Sequence, residues 1–147
     1  MLYKIIRVLP FIAAASLASP LEPRANTDFT LFAYGPDSIG GFPVISIGID
    51  AMSTRGNFTA TMTDSSQSLL YIPSTSGQVG FTNTTGDSSL ITTGFGFYGH
   101  VVFVQIGSTM ETSWYAIPTS DSDIWVLTWD DDGDGAIPIA LRNIAPS

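Results

Sequence analysis

Cysteine is absent from this 147-residue chain, so no disulfide bond can stabilise the fold and no thiolate can act as a nucleophile or metal ligand. Small proteins of oxidising compartments often depend on disulfides. Here the hydrophobic core alone must hold the folded state. A domain of ~120 residues buries roughly two-thirds of the surface of its unfolded chain, which suffices without cross-links. We therefore predict a single domain over residues 25–147.

Positive charge is also scarce. The chain has 5 lysines and arginines against 13 aspartates and glutamates, which gives a net charge of −8. From Ala25 onward the only cations are Arg55 and Arg142, against eleven aspartates and one glutamate, so this part carries a net charge of −10. Because phosphate binding requires a basic surface, this acidic charge excludes nucleic acid and anionic lipid headgroups as partners.

Most side chains of the common catalytic centres are missing too. From Ala25 onward there is no lysine for a Schiff base and no Gly-x-Ser-x-Gly motif for a serine nucleophile. His100 is the only histidine, and without partners for a triad or a zinc site we interpret it as structural. Glycoside hydrolysis needs two positioned carboxyl groups, so Glu111 with an aspartate leaves a carboxylate-type hydrolase as an alternative. A protein without catalytic residues is the favoured interpretation.

The N-terminus has the pattern of a secretory signal peptide. Lys4 and Arg7 precede an apolar run over residues 8–15, and small residues follow up to Ala18. The run is shorter than the ~20 apolar residues that span a bilayer. We predict a signal peptide over residues 1–18 and a secreted, extracellular protein with no membrane segment.

Residues 19–24 end in Pro23-Arg24 and have two interpretations. They are similar to short pro-segments that kexin-type proteases remove in fungal secretory pathways, which would place the mature start at Ala25. Alternatively, they form a flexible N-terminal tail, as chain termini often do.

Two N-glycosylation sequons agree with secretion. Asn57-Phe58-Thr59 and Asn83-Thr84-Thr85 both lack proline at the middle position. Each falls beside a predicted turn. We predict a glycoprotein modified at Asn57, Asn83 or both.

Short β-rich runs between turn residues predict an all-β protein, because no window has helical periodicity. Ten strands in one domain indicate an antiparallel β-sandwich, with a closed β-barrel as the alternative. The runs Val101–Val104 and Ile124–Leu127 are apolar at every position, which predicts that both lie in the core. The predicted strands are Phe29–Tyr34, Val44–Ile49, Phe58–Met62, Leu69–Ile72, Val79–Thr82, Leu90–Thr93, Val101–Ile106, Trp114–Ile117, Ile124–Trp129 and Ile137–Leu141.

An acidic loop over residues 130–135 matches the first half of a calcium loop. Asp130, Asp132 and Asp134 stand at positions one, three and five, and Gly135 stands at position six. The second half does not match, since position twelve is Leu141 and the flanks are predicted strands. The alternatives are a calcium site of another type and a solvated hairpin loop whose glycines supply positive φ.

Two tryptophans on one strand suggest a binding surface. In an extended strand Trp125, Leu127 and Trp129 share one face, so both tryptophans could contribute to a platform for sugar rings. Trp129, next to the acidic loop, is expected to be the more exposed. The alternative is that both pack inward with Trp114 and Tyr115.

The two ends of the predicted domain resemble a known group of sequences. Residues 29–35 and 39–44, with residues 125–129 and 137–142, are similar to small secreted proteins, themselves uncharacterised, of filamentous ascomycete fungi. The resemblance implies secretion and an all-β domain, and it brings no catalytic residues.

Three functions follow from these observations. The first is a non-catalytic extracellular protein at a cell wall or host surface that binds polysaccharide or cell-surface glycan. The second is a calcium-binding β module that uses the acidic loop; otherwise no cofactor is expected. The third is the secreted carboxylate hydrolase.

Overall fold

The computed structural model describes residues 27–36, 39, 42–50, 56–62, 64–121 and 124–147, and for residues 27, 28 and 42–50 it describes the backbone alone. The predicted signal peptide over residues 1–18, the segment 19–24, the mature start at Ala25 and the side chain of Arg55 lie outside the described residues.

The described chain is all-β, as predicted, and contains fourteen strands and no helix. Accordingly, no helix in this part is long and apolar enough to cross a membrane. The strands are β1 (Thr27–Tyr34), β2 (Phe42–Asp50), β3 (Asn57–Thr61), β4 (Gln67–Pro73), β5 (Gly77–Gln78), β6 (Gly80–Thr82), β7 (Leu90–Ile91), β8 (Phe95–Tyr98), β9 (Val101–Ile106), β10 (Thr109–Glu111), β11 (Trp114–Pro118), β12 (Trp125–Trp129), β13 (Ile137–Pro138) and β14 (Ala140–Arg142).

The strands form two antiparallel sheets. The larger sheet has the order β10-β9-β14-β1-β2-β3-β4-β6, with β8 paired to β9 and β7 paired to β4. The smaller sheet has the order β13-β11-β12-β5. Neither sheet closes into a barrel, so the β-sandwich prediction is confirmed over the barrel alternative.

The core follows from the alternation of side chains along each strand. In β3, Phe58 and Ala60 are buried whereas Thr61 is exposed on the opposite face. Four phenylalanines form an aromatic cluster in this core, with ring centroids 5.1–5.5 Å apart: Phe29, Phe58, Phe95 and Phe97. Edge-to-face and offset aromatic pairs at such distances add about 0.5–1.5 kcal/mol each beyond the burial of their area.

The chain crosses between the two sheets at two buried aliphatic residues. Val79 separates β5 of the smaller sheet from β6 of the larger one, and its N–H donates to the carbonyl of Leu127 at 3.0 Å. Ile139 separates β13 from β14 in the same way and donates to the carbonyl of Trp114 at 3.0 Å. The predicted strand Ile137–Leu141 is therefore two strands in two sheets, and Gly77–Gln78 is an addition to the predicted strand at Val79–Thr82.

Strands overlap all ten predicted runs, and three strands were not predicted: β5, β8 and β10. Strand β8 was missed because Gly94, Gly96 and Gly99 gave its segment the composition of a turn. Gly94 and Gly99 do adopt the positive φ typical of turns, but they stand just outside the strand.

The prediction that both apolar runs lie in the core is half right. Val102, Phe103 and Val104 are buried, as expected for a central strand. The Ile124–Leu127 prediction is wrong, because Ile124 is 54% exposed and the next three residues are only half-buried. The reason is that β12 belongs to the smaller sheet, where Val126 faces away from the core.

Candidate functional site

The tryptophans of β12 pack into the core. Trp129 is only 2% exposed and meets Trp114 edge to face, with 4.8 Å between ring centroids. Trp125 and Leu127 are partly buried against the same core. The prediction that these side chains share one face is confirmed, and the expectation that Trp129 is the more exposed tryptophan is wrong. The inward-packing alternative describes both tryptophans.

Trp129 is buried although it ends its strand, because the smaller sheet continues beside it. Trp129 is opposite Trp114 of β11 on one side and Gly77 of β5 on the other. The Trp114 indole N–H donates to the carbonyl of Val102 at 3.2 Å, which joins the smaller sheet to the larger one. These tryptophans therefore hold the two sheets together and present no accessible ring platform at Trp129.

The acidic loop is a turn between β12 and β13. Asp130 has a φ of 48°, and its N–H donates to the carbonyl of Ser113 at 2.8 Å. The Asp131 carboxylate accepts a hydrogen bond from the Gly133 N–H at 3.3 Å, and Gly135 has a φ of 81°. These features fit the solvated-loop interpretation, in which glycine supplies positive φ.

The carboxylates of Asp130, Asp132 and Asp134 do not converge in this arrangement. Among the described residues, no group of three or more histidines and acids is placed to hold a metal ion. Leu141, at the twelfth position of the calcium-loop pattern, is fully buried in the core. Calcium binding by this loop stays a prediction, and melting with and without a chelator would test it.

His100 lies in the hairpin turn between β8 and β9 and is exposed. Its Nδ1 is 2.9 Å from Oδ1 of Asn143, and its carbonyl accepts a hydrogen bond from the Asn143 N–H at 3.1 Å. These contacts fix the residue that follows β14 and support the structural interpretation. Glu111, the other candidate acid, is half-buried on the edge strand β10 opposite Val104.

A different set of side chains converges on the outer face of the larger sheet. The strand register places Tyr98 opposite Val101, Val101 opposite Arg142, and Arg142 opposite Phe32. This row therefore crosses β8, β9, β14 and β1. Directly opposed residues of adjacent strands project to the same face of a sheet.

The alternation of buried residues shows that this face points away from the core. Phe97, Val102 and Leu141, the neighbours of the row within their strands, all belong to the core or pack against it. Because successive side chains alternate, Tyr98 and Arg142 project outward. Tyr34, two residues beyond Phe32 on β1, projects to the same side. We call Tyr34, Tyr98 and Arg142 the tyrosine face.

The tyrosine face has one well-ordered side and one open side. The Arg142 guanidinium carbon lies 5.0 Å from the Tyr34 ring centroid, a cation–π contact. The Tyr34 hydroxyl donates to the carbonyl of Ile144 at 2.7 Å, so the ring is held from both sides. Tyr98, by contrast, is 76% exposed, the most exposed of the large hydrophobic side chains in the described residues.

The electrostatics of this face differ from those of the chain as a whole. Arg142 is the only lysine or arginine in the described ranges, within a strongly acidic chain. The Nε atom of Arg142 is buried and has no hydrogen-bond partner among the described residues. The face thus combines a cation with an exposed phenol ring.

Chemically, this arrangement suits a ligand with both apolar and hydroxyl-bearing surfaces. The face of an aromatic ring packs against C–H groups, while ring hydroxyls and polar side chains donate and accept hydrogen bonds. The distance from β8 to β1 is three interstrand steps of about 4.8 Å, or ~14 Å. That width matches an oligomeric ligand better than a single small ring.

Sequence reasoning missed the tyrosine face because it missed β8. The signal was present: Phe95-Gly96-Phe97-Tyr98 alternates two core aromatics with two outward positions, and Gly99 opens a two-residue hairpin turn. The role of Arg142 could not be found in this way, since it depends on the pairing of β14 with β1.

In comparisons with known proteins, no family model matches the chain, and neither a curated protein nor a solved structure is detectably similar to it.

Proposed function

We propose that this protein is a secreted, non-catalytic extracellular protein that binds glycan through the tyrosine face. The observation that carries the proposal is the exposure of Tyr98, 76%, beside the Tyr34–Arg142 pair on a single sheet face. An aromatic ring left this open does not contribute its area to the core, and large exposed aromatics are characteristic of binding surfaces.

The partner class follows from the chemistry of the face. Polysaccharides offer flat C–H surfaces for a tyrosine ring and hydroxyl groups that can hydrogen-bond to Arg142 and to the Tyr98 hydroxyl. The acidic charge of the remaining chain argues against nucleic acid and anionic membranes as partners. We therefore favour polymers of a cell wall or host surface.

The extracellular location rests on the sequence. The N-terminal pattern over residues 1–18, the two sequons and the resemblance to small secreted fungal proteins all support it. The tyrosine face fits a protein that encounters polysaccharide outside the cell.

A co-sedimentation assay tests the proposal. The purified protein is incubated with insoluble chitin, β-glucan and cellulose, and the bound fraction is measured beside a Tyr98→Ala variant. We expect the wild type to bind at least one polymer and the variant to bind tenfold or more weakly, since loss of one stacked ring costs about 1–3 kcal/mol by analogy with bases stacked on aromatics.

Ile124→Ala is the matched control. Ile124 is also a large exposed hydrophobic residue, at 54%, but it lies directly before β12 of the smaller sheet. It should bind as the wild type does. Absence of binding to all three polymers, or equal weakening in both variants, would contradict the proposed site.

A further inference from the structure

The two sequons have very different surroundings. Asn83 follows β6 and begins a loop in which all residues from 83 to 89 are exposed. The loop contains the whole sequon, Asn83-Thr84-Thr85, and no strand until Leu90. An enzyme can therefore reach Asn83 and its neighbours without disturbing the sheet.

The Asn83 amide is oriented for modification. Its Oδ1 accepts a hydrogen bond of 2.5 Å from the hydroxyl of Ser68. Ser68 is 6% exposed, so this bond satisfies an otherwise buried hydroxyl. The same bond fixes the orientation of the amide and leaves Nδ2, which has no hydrogen-bond partner among the described residues, on the side away from Ser68.

Asn57 is held much more tightly. It is the half-buried first residue of β3, opposite Asp50 of β2. Gly56, just before it, exchanges two backbone hydrogen bonds with Phe95, at 2.9 and 3.1 Å. Phe58, the middle residue of the sequon, is a fully buried core residue. Access to this sequon in the folded protein would require β3 to leave the sheet.

We propose that Asn83 carries an N-linked glycan in a eukaryotic host and that Asn57 does not. This inference rests on the proposed secretion of the protein. In the transfer, Asn83 Nδ2 loses a proton to a basic group of the transferase and forms a bond to the anomeric carbon of an oligosaccharide. The bond from that carbon to the oxygen of a lipid diphosphate donor breaks, and the lipid diphosphate leaves with the electron pair. Oδ1 is unchanged, so Ser68 keeps its acceptor.

The position of Asn83 places a glycan at one edge of the larger sheet. Asn83 follows β6, the terminal strand of the larger sheet at one end of the strand order, whereas β9, β14 and β1 lie towards the other end. A glycan there would cover the edge of the sheet. Unpaired strand edges are where sheets aggregate, so a bulky polar group at this position protects the fold as well.

The test is the intact mass of the full chain expressed in a eukaryotic secretory host, before and after digestion with a peptide N-glycosidase. We expect protein in the medium that carries one glycan and loses it on digestion. Thr85→Ala should abolish the modification, and Thr85→Ser should retain it, because the sequon accepts either hydroxyl residue. Both changes leave Asn83 and its bond to Ser68 in place. Asn57→Gln should leave the glycan unchanged.

The outcomes distinguish a failure of the glycosylation proposal from a failure of the proposed secretion. Secreted protein without a digestible glycan overturns the glycosylation proposal and leaves secretion intact. Loss of the glycan in Asn57→Gln, or its persistence in Thr85→Ala, overturns the choice of Asn83. Protein retained in the cell without glycan overturns both proposals.

Discussion

Two aromatic pairs in this protein have opposite environments. Trp114 and Trp129 meet in the core between the sheets, whereas Tyr98, together with Tyr34, projects from the outer face of the larger sheet. Trp129 and Tyr98 each end a strand, and each stands next to a turn. The two residues differ in the face of the strand from which they project, and for this reason Trp129 supports the core while Tyr98 is exposed to solvent.

The sharpest way to test this comparison is to remove a ring from the core. Trp129→Ala should reduce the free energy of unfolding by about 3–5 kcal/mol, because a fully buried aromatic side chain is replaced by a cavity. Urea denaturation measures the loss. Trp129→Phe should cost clearly less, since much of the ring volume remains. If Trp129→Ala lost less than about 1 kcal/mol, the ring would not be part of the core.

A second test concerns the glycine that holds the strand of Tyr98 in place. Gly94 has a φ of 91°, and a Cβ there would stand 2.7 Å from the carbonyl oxygen of Gln105. Gly86 has nearly the same φ, 88°, but its Cβ would meet open space. Each alanine substitution should cost about 1 kcal/mol for the positive φ.

Only Gly94→Ala also displaces the backbone of β9. We expect Gly94→Ala to lower the free energy of unfolding by at least about 1 kcal/mol more than Gly86→Ala does, a difference within the range of local backbone strain. It should also weaken glycan retention, because the hairpin that carries Tyr98 moves with it. Thermal melting and co-sedimentation of the two variants check this. Equal losses in both would show that β8 adapts freely.

The smallest expected effect concerns two exposed turns, each with an aspartate that accepts hydrogen bonds from a nearby serine. The hydroxyl and then the N–H of Ser66 donate to the Asp64 carboxylate and lower its pKa below the ordinary 3.8. Ser89 lowers the pKa of Asp87 in the same way. Because the folded-state pKa values are depressed, this stabilisation is present above the unfolded pKa and is lost as pH falls through the folded values.

Melting curves between about pH 2 and 7, which bracket the titration of these carboxylates, check the direction of the stability change with pH. Asp64→Asn and Asp87→Asn should melt slightly below the wild type at neutral pH, and the difference should vanish in acid. A difference that grew on acidification would contradict the assignment of these pKa shifts.

Much of the fold was predictable because the local pattern and the final environment agree. The alternation of apolar and polar residues over Phe58–Thr61 matches the strand buried on one face that the structure contains, and the apolar run Val101–Val104 correctly predicted a central strand. Ile124–Leu127 has the same composition, yet it lies in the smaller sheet, where Val126 faces away from the core. Which sheet a strand joins is decided by long-range pairing, which the run itself does not encode.

The crossings at Val79 and Ile139 have the same cause. In the sequence, Val79 looks like the start of a strand and Ile139 like the interior of one. Only the backbone partners, Leu127 and Trp114, show that the chain changes sheets there. The tyrosine face also depends on long-range pairing, since its residues come from three strands, β1, β8 and β14, that are far apart in sequence. Tryptophans on one strand were the visible signal, but their face turned out to be the core face.

Glycan binding by the tyrosine face is tested most directly by measuring binding and stability on the same variants. On a polymer that retains the wild type, the affinity and melting temperature of Tyr98→Ala and Ile124→Ala are compared with the wild type. If the tyrosine face binds glycan, both variants should melt as the wild type does. Only Tyr98→Ala should lose affinity, by tenfold or more, equivalent to about 1.4 kcal/mol. Unchanged affinity in Tyr98→Ala, with wild-type melting, would contradict the claim that the exposed tyrosine face is the binding site.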